Sequence, residues 1–236
     1  MFLLFLKLLF LIPVTLFFSV WALLTVPFDR SGKYFRLSPW FWSKVIFWTF
    51  GMKVSVKGYA ELDTARPYVF VSNHASMFDI PTVVVALKGN VNIVFKKELI
   101  YVPVWGWALR FGHFIMIDRS NPRKAMASIE RAAESIRKGS SVILFPEGTR
   151  TTDGKLQPFK RGAFSLAAKA GVPVVPLTIN GTFAIMPKGT LKVVPANISV
   201  IIGKPIPAAN LEGKDAELKL IEQAYRAIEK EYINQE

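Results

Sequence analysis

Residues 68–81, YVFVSNHASMFDIP, decide how this chain is read. Residues 68–72 are rich in β-branched and aromatic side chains and predict a strand ending at Asn73. Ser76 is placed to cap a short helix through Ile80 and residues 83–87, with Pro81 near its start. A strand end followed by a tight turn lets the Asp79 carboxylate fold back onto the His74 ring. A carboxylate on one ring nitrogen fixes the tautomer and leaves the other free to take a proton from a hydroxyl. The plainer reading is a turn histidine and a helix-capping aspartate, and spacing alone leaves both open.

Outward from that stretch the texture is α/β. Residues 53–57, 92–95, 114–117, 141–145, 172–179 and 197–202 read as further strands. Asn121 and Pro122 open a helix with the apolar face Met126, Ile129, Ala133 and Ile136, closed by Gly139. Helices are also expected over 162–170 and, strongly charged, over 216–232. Strands alternating with helices predict a mostly parallel or mixed central sheet flanked by helices.

The first 51 residues differ. Residues 1–26 are almost wholly apolar, with Lys7 as the only charge. As a helix, residues 8–26 reach about 28 Å at ~1.5 Å per residue, barely enough to span hydrocarbon. No small-x-small cleavage site follows, so an uncleaved anchor is expected. Arg30, Lys33 and Arg36 come next and put the rest of the chain in the cytoplasm by the positive-inside tendency. Residues 37–51 are too short to span but carry Trp40, Trp42 and Trp48, a density that suits the headgroup boundary. The two segments together predict a membrane-associated helical hairpin, residues 1–51, ahead of a domain over 52–236.

The chain has 30 Lys and Arg against 17 Asp and Glu, a net charge of +13, which points to phosphate-bearing partners. The apolar N-terminus favours an anionic membrane and its lipids over nucleic acid. Cysteine is absent, which removes disulfides, thiolate nucleophiles and cysteine metal sites. The two histidines, His74 and His113, are too few for a histidine-rich metal site. His113 reads as structural. No Gly-x-Ser-x-Gly elbow occurs, and Ser72 and Ser76 are explained as turn residues, so a covalent intermediate on the enzyme is not expected. Arg150 follows a strand and a Pro-Glu-Gly-Thr turn in which Gly148 permits close backbone approach. Its guanidinium suits bidentate phosphate binding, and Arg119, ending another strand, could converge with it. Lys96, Lys160 and Arg161 are further cationic candidates.

Four blocks stand in order: Asn73-His74-x4-Asp79; 96–99 (KKEL) leading to Gly112 and 117–119 (IDR); 145–150 (FPEGTR); and 172–176 (VPVVP). Together they resemble the motifs of the glycerolipid acyltransferases related to bacterial 1-acylglycerol-3-phosphate acyltransferase. The resemblance covers roughly residues 68–177. It implies transfer of a fatty acyl group from an acyl-carrier-protein or coenzyme A thioester to the sn-2 hydroxyl of lysophosphatidic acid, with no cofactor and no metal. It implies His74 as base and Asp79 as its orienting partner. Lys96, Arg119, Glu147, Gly148, Thr149 and Arg150 then fall at the substrate-binding motifs, and the fourth block is expected to line the site. The resemblance also implies the cytoplasmic face of a cell inner membrane. A different lysolipid or glycerol 3-phosphate as acceptor, or a non-catalytic lipid-binding adaptor, are the alternatives.

Overall fold

Val69–Ser72 forms strand β2, and all four side chains are buried, as in a strand covered on both faces. The computed structural model describes residues 2–29, 31–89, 91–118, 121–208 and 214–233. β2 is the middle strand of a seven-stranded sheet ordered β1-β7-β6-β2-β5-β3-β4. The others are β1 (Val54–Lys57), β3 (Asn92–Lys96), β4 (Ile115–Ile117), β5 (Val142–Leu144), β6 (Val174–Asn180) and β7 (Ile198–Ile202). β6, β2, β5, β3 and β4 run parallel, with Val71 opposite Leu144 on one side and Pro176 on the other. β7 is antiparallel to β6 and carries β1 parallel to itself. The sheet is therefore mixed, with a single reversal.

Alternation along β2 divides the core between two faces. Phe70 joins a cluster with Ile46, Phe47 and Phe50 of α2 (Lys33–Phe50) and Val83 and Val84 of α3 (Asp79–Ala86). Val69 and Val71 join a second cluster with α5 (Pro122–Arg137), α6 (Gly162–Ala170) and α8 (Lys214–Glu231). Two further helices, α4 (Trp105–Phe111) and α7 (Thr182–Ile185), are short. α5 starts as expected: Asn121 Oδ1 accepts from Lys124 N at 2.9 Å. Its buried face is Ala132, Ala133 and Ile136, while Met126 is exposed, so the apolar stripe sits further along than the sequence predicts.

α1 (Phe2–Thr25) is long and apolar enough to cross a membrane, and most of its surface is exposed. It pairs with α2 as a hairpin, with Ser38 Oγ donating to Phe18 O (2.6 Å) and Trp42 Nε1 to Thr15 Oγ1 (3.0 Å). α2 differs from the expected interfacial segment. Ile46, Phe47 and Phe50 are buried against α3 and the sheet, and Trp40 and Trp42 pack partly on the same core; Trp48 alone of the three faces out, at 77 % exposure. The core thus runs across the expected boundary between residues 51 and 52.

Candidate active site

Parallel strands deliver their following loops to one edge, and ligands in such sheets gather there. His74 follows β2, residues 145–150 follow the adjacent β5, and Lys96 ends the next strand, β3. Asn73 fixes the first loop to β6: its Nδ2 donates to Ile179 O and its Oδ1 accepts from Ile179 N, both at 2.8 Å.

Asp79 does fold back. His74 Nδ1 lies 2.7 Å from Asp79 Oδ2, and the same oxygen accepts from the backbone N–H of Ala75 (2.7 Å) and Ser76 (2.8 Å). An oxygen already serving two N–H donors is an acceptor for the third, which places the imidazole proton on Nδ1 and leaves Nε2 as the basic nitrogen. Asp79 is fully buried and sits in the first turn of α3, where the helix dipole favours its charge. Its Oδ1 has no partner among the described residues. The imidazole stacks on Phe145, with centroids 4.2 Å apart and planes at 21°. Ser76 does not cap α3 with its side chain as expected; its Oγ donates to Met186 O at 2.9 Å, and Phe78 takes the cap position. Pro81 falls in the first helical turn, where a missing N–H costs nothing.

The main chain of His74 is held from both sides. Its N–H donates to Glu147 Oε1 (2.6 Å) and its carbonyl accepts from Thr151 N (2.8 Å). Glu147 Oε2 accepts from Gln157 N at 3.2 Å. Glu147 is buried and forms no ion pair among the described residues; its two oxygens brace the His74 loop and Gln157. Burial pushes its carboxyl up to about 7 against the pull of its two N–H bonds, and the charge of Asp79 adds to the rise. The folded chain therefore keeps a proton that the unfolded chain releases near 4.5. That contribution to stability is full below about pH 4.5, declines as pH rises, and is gone above about pH 7. The unfolding free energy of wild type minus that of Glu147→Gln, measured by denaturant titration, is expected to fall across this window. A difference independent of pH would contradict the assignment.

A cavity of about 420 Å³ opens beside the pair. His74, Lys96, Gly148 and Arg150 stand on it, and the rest of its wall is mostly apolar, including Phe18 and Ala22 of α1, Trp42 of α2, Val84 of α3 and Leu109 of α4. Gly148 has φ +78°, and a Cβ there would lie 2.9 Å from Lys160 Nζ, so the bare backbone lets that amine close on the loop. Thr149 is exposed, and its Oγ1 is 3.1 Å from Lys188 Nζ. Lys188 lies in the 186–197 loop, outside every motif block and off the cavity wall. Arg161 turns away, paired with Glu217 of α8. Arg119 lies outside the described residues. Lys97 instead ties the ends of β3 and β4 by pairing with Asp118 at 3.1 Å. Gly112 of the same block admits Phe35, whose ring would meet a Cβ at 2.2 Å. His113 is structural as expected, with Nε2 2.9 Å from Asp29 O. The fourth block does not line the cavity: β6 is wholly buried and supports β2 and Asn73.

An oriented imidazole at the polar end of an apolar cavity, with cations close by, is equipped to deprotonate the hydroxyl of an anionic amphiphile. Comparison with known proteins gives the family. A family model described as acyltransferase matches residues 53–180, and the chain belongs to that family. The chloroplastic 1-acyl-sn-glycerol-3-phosphate acyltransferase BAT2 of Brassica napus is 40 % identical over 182 residues, 76 % of this chain and 52 % of that protein. The 1-acyl-sn-glycerol-3-phosphate acyltransferase of Pseudomonas aeruginosa is 35 % identical over 182 residues, 73 % of this chain and 67 % of that one. The crystal structure of PlsC, the 1-acyl-sn-glycerophosphate (LPA) acyltransferase of Thermotoga maritima, superposes with a TM-score of 0.82 at 26 % identity, over 100 % of this chain and 97 % of that one. The chain spans about half the length of the Brassica napus relative and of a chloroplastic relative from Arabidopsis thaliana.

Proposed function

We propose that this protein is a membrane-associated 1-acyl-sn-glycerol-3-phosphate acyltransferase, making phosphatidic acid for phospholipid synthesis from lysophosphatidic acid and a fatty acyl thioester of acyl carrier protein or coenzyme A. The observation that carries the reading is the His74–Asp79 contact of 2.7 Å at the polar end of an apolar cavity. His74 Nε2 takes the proton of the sn-2 hydroxyl as its oxygen attacks the thioester carbonyl. Asp79 stabilises the imidazolium that forms. The tetrahedral intermediate collapses, the carbon–sulfur bond breaks, and the imidazolium returns the proton to the departing sulfur. Ser72 and Ser76 are fully buried and off the cavity, which supports direct transfer without an acyl-enzyme. The apolar wall accepts an acyl chain. Arg150, with Lys96 and Arg119, holds the acceptor phosphate.

For the membrane we favour a hairpin in one leaflet, on the cytoplasmic face of an inner membrane. Leu4 and Leu11 pack on the main core and Lys7 Nζ lies 5.3 Å from the Phe50 ring, while Ala22 packs with Phe35 and Ala108. Contact at both ends of α1 supports a helix lying along the domain rather than leaving it to span.

Arg150→Ala is expected to raise the KM for lysophosphatidic acid about tenfold or more, since a hydrogen bond to a charged group contributes ~1.5–3 kcal/mol. Turnover of a phosphate-free monoacylglycerol should hardly change, and Arg150→Lys should rescue only partly because the fork is lost. Steady-state kinetics on both acceptors decide it. Equal losses would assign Arg150 to the fold instead of the phosphate.

A further inference from the structure

The 3₁₀ turn Lys97–Tyr101 and helix α4, absent from the sequence-based expectation, leave an apolar ridge uncovered. Tyr101 is 74 % exposed, Val102 44 %, Trp107 48 % and Phe111 59 %. Trp107 and Phe111 are four residues apart and share one face of the helix. The opposite face is committed: Leu99, Trp105, Ala108 and Leu109 line the cavity. A turn at Val104 (φ +63°, ψ −60°), closed by Trp105 N donating to Pro103 O at 2.7 Å, sets the angle between the two parts. The wall between cavity and surroundings here is one helix thick.

We propose that this ridge is a second membrane contact, seated at the headgroup boundary of an anionic bilayer beside α1. The inference rests on the membrane-associated reading of α1 above. Continuity supports it, because Ala108 of α4 packs with Ala22, Leu23 and Val26, and the neighbouring side chains Leu24 of α1 and Phe28 just after it are themselves exposed. Residue type supports it, since Trp and Tyr favour the water–lipid boundary. Charge supports it too. Lys97 is taken up by Asp118, but the ridge carries a cation of its own: the exposed Arg110 guanidinium lies 5.7 Å over the Phe111 ring. That is the arrangement of an amphipathic segment with a cation at phosphate level. The contact holds one wall of the acyl cavity against the lipid from which the acceptor comes.

The chain lacks cysteine, so single labels need no background removal. Tyr101→Cys, Trp107→Cys and Phe111→Cys, each in the full chain, carry an environment-sensitive fluorophore. Phe10→Cys on α1 and Glu222→Cys, exposed on α8 across the sheet, serve as references. Each protein is reconstituted in phosphatidylethanolamine–phosphatidylglycerol vesicles with nitroxide quenchers placed near the headgroup or deep in the chains. Circular dichroism confirms the fold, and three ridge positions guard against loss of one variant. Quenching is expected at 101, 107 and 111, stronger from the shallow nitroxide, and absent at 222. Quenching at 10 with none at the ridge would overturn the proposal and leave the anchor standing. No quenching at 10 either would overturn both.

Discussion

His74→Ala is expected to lower turnover by roughly 10²–10⁴-fold, the usual loss when a general base is removed, while folding and membrane binding persist. The side chain is a fifth exposed, at 19 %, and its contacts are few: Asp79 through Nδ1 and the stacked Phe145 ring. The backbone bonds that shape the loop, from His74 N to Glu147 and from Thr151 N to His74 O, survive truncation. The loss should therefore appear in kcat, with circular dichroism and vesicle sedimentation unchanged. Wild-type-like kcat in a folded variant would remove His74 from the mechanism.

Asp79→Asn is expected to cost about 10²-fold or more in kcat with little change in KM. Geometry makes this substitution informative. All three accepted bonds fall on Oδ2, so an amide oxygen placed there can still receive Ala75 N, Ser76 N and the ring. The amide nitrogen then takes the place of Oδ1, which has no partner among the described residues. Burying that unmatched donor costs about 1–3 kcal/mol of stability, which leaves a folded protein to assay. What disappears is the negative charge that stabilises the imidazolium as the proton arrives. Kinetics on protein shown to be folded, across a range of pH, separate the two effects. Full kcat would mean that Asp79 only shapes the turn.

Much of this site could be read from the sequence because its parts are local. The β-branched run before Asn73 gives β2, and the interval from His74 to Asp79 is covalently short enough that one turn must join them. α6 falls on residues 162–170 as expected because its apolar period is clean and Gly171 stops it. Other features depend on partners far along the chain. Glu147 looks like a ligand-binding carboxylate in its motif, yet its oxygens are spent on the backbone of His74 and Gln157. Arg161 looks like a phosphate ligand until α8 brings Glu217 to it. α2 is apolar around much of its circumference, so its tryptophans could not reveal which side meets the core. α4 leaves no clear signal in the sequence because residues 97–112 mix glycine, proline and aromatics without a clear period. The reversal of β7 and β1 left no local trace, since a buried strand reads the same in either direction.

The central claim, direct acyl transfer from a thioester to the sn-2 hydroxyl of a lysophosphatidic acid, is tested most directly by one assay. Purified protein in vesicles receives 1-acylglycerol 3-phosphate and a labelled acyl thioester of coenzyme A or of acyl carrier protein. The lipid product is then cut at the sn-2 ester and the released label counted. Labelled phosphatidic acid that yields its label on sn-2 cleavage is the predicted result. Labelled free fatty acid with the acceptor untouched, or no turnover with either thioester, would contradict it.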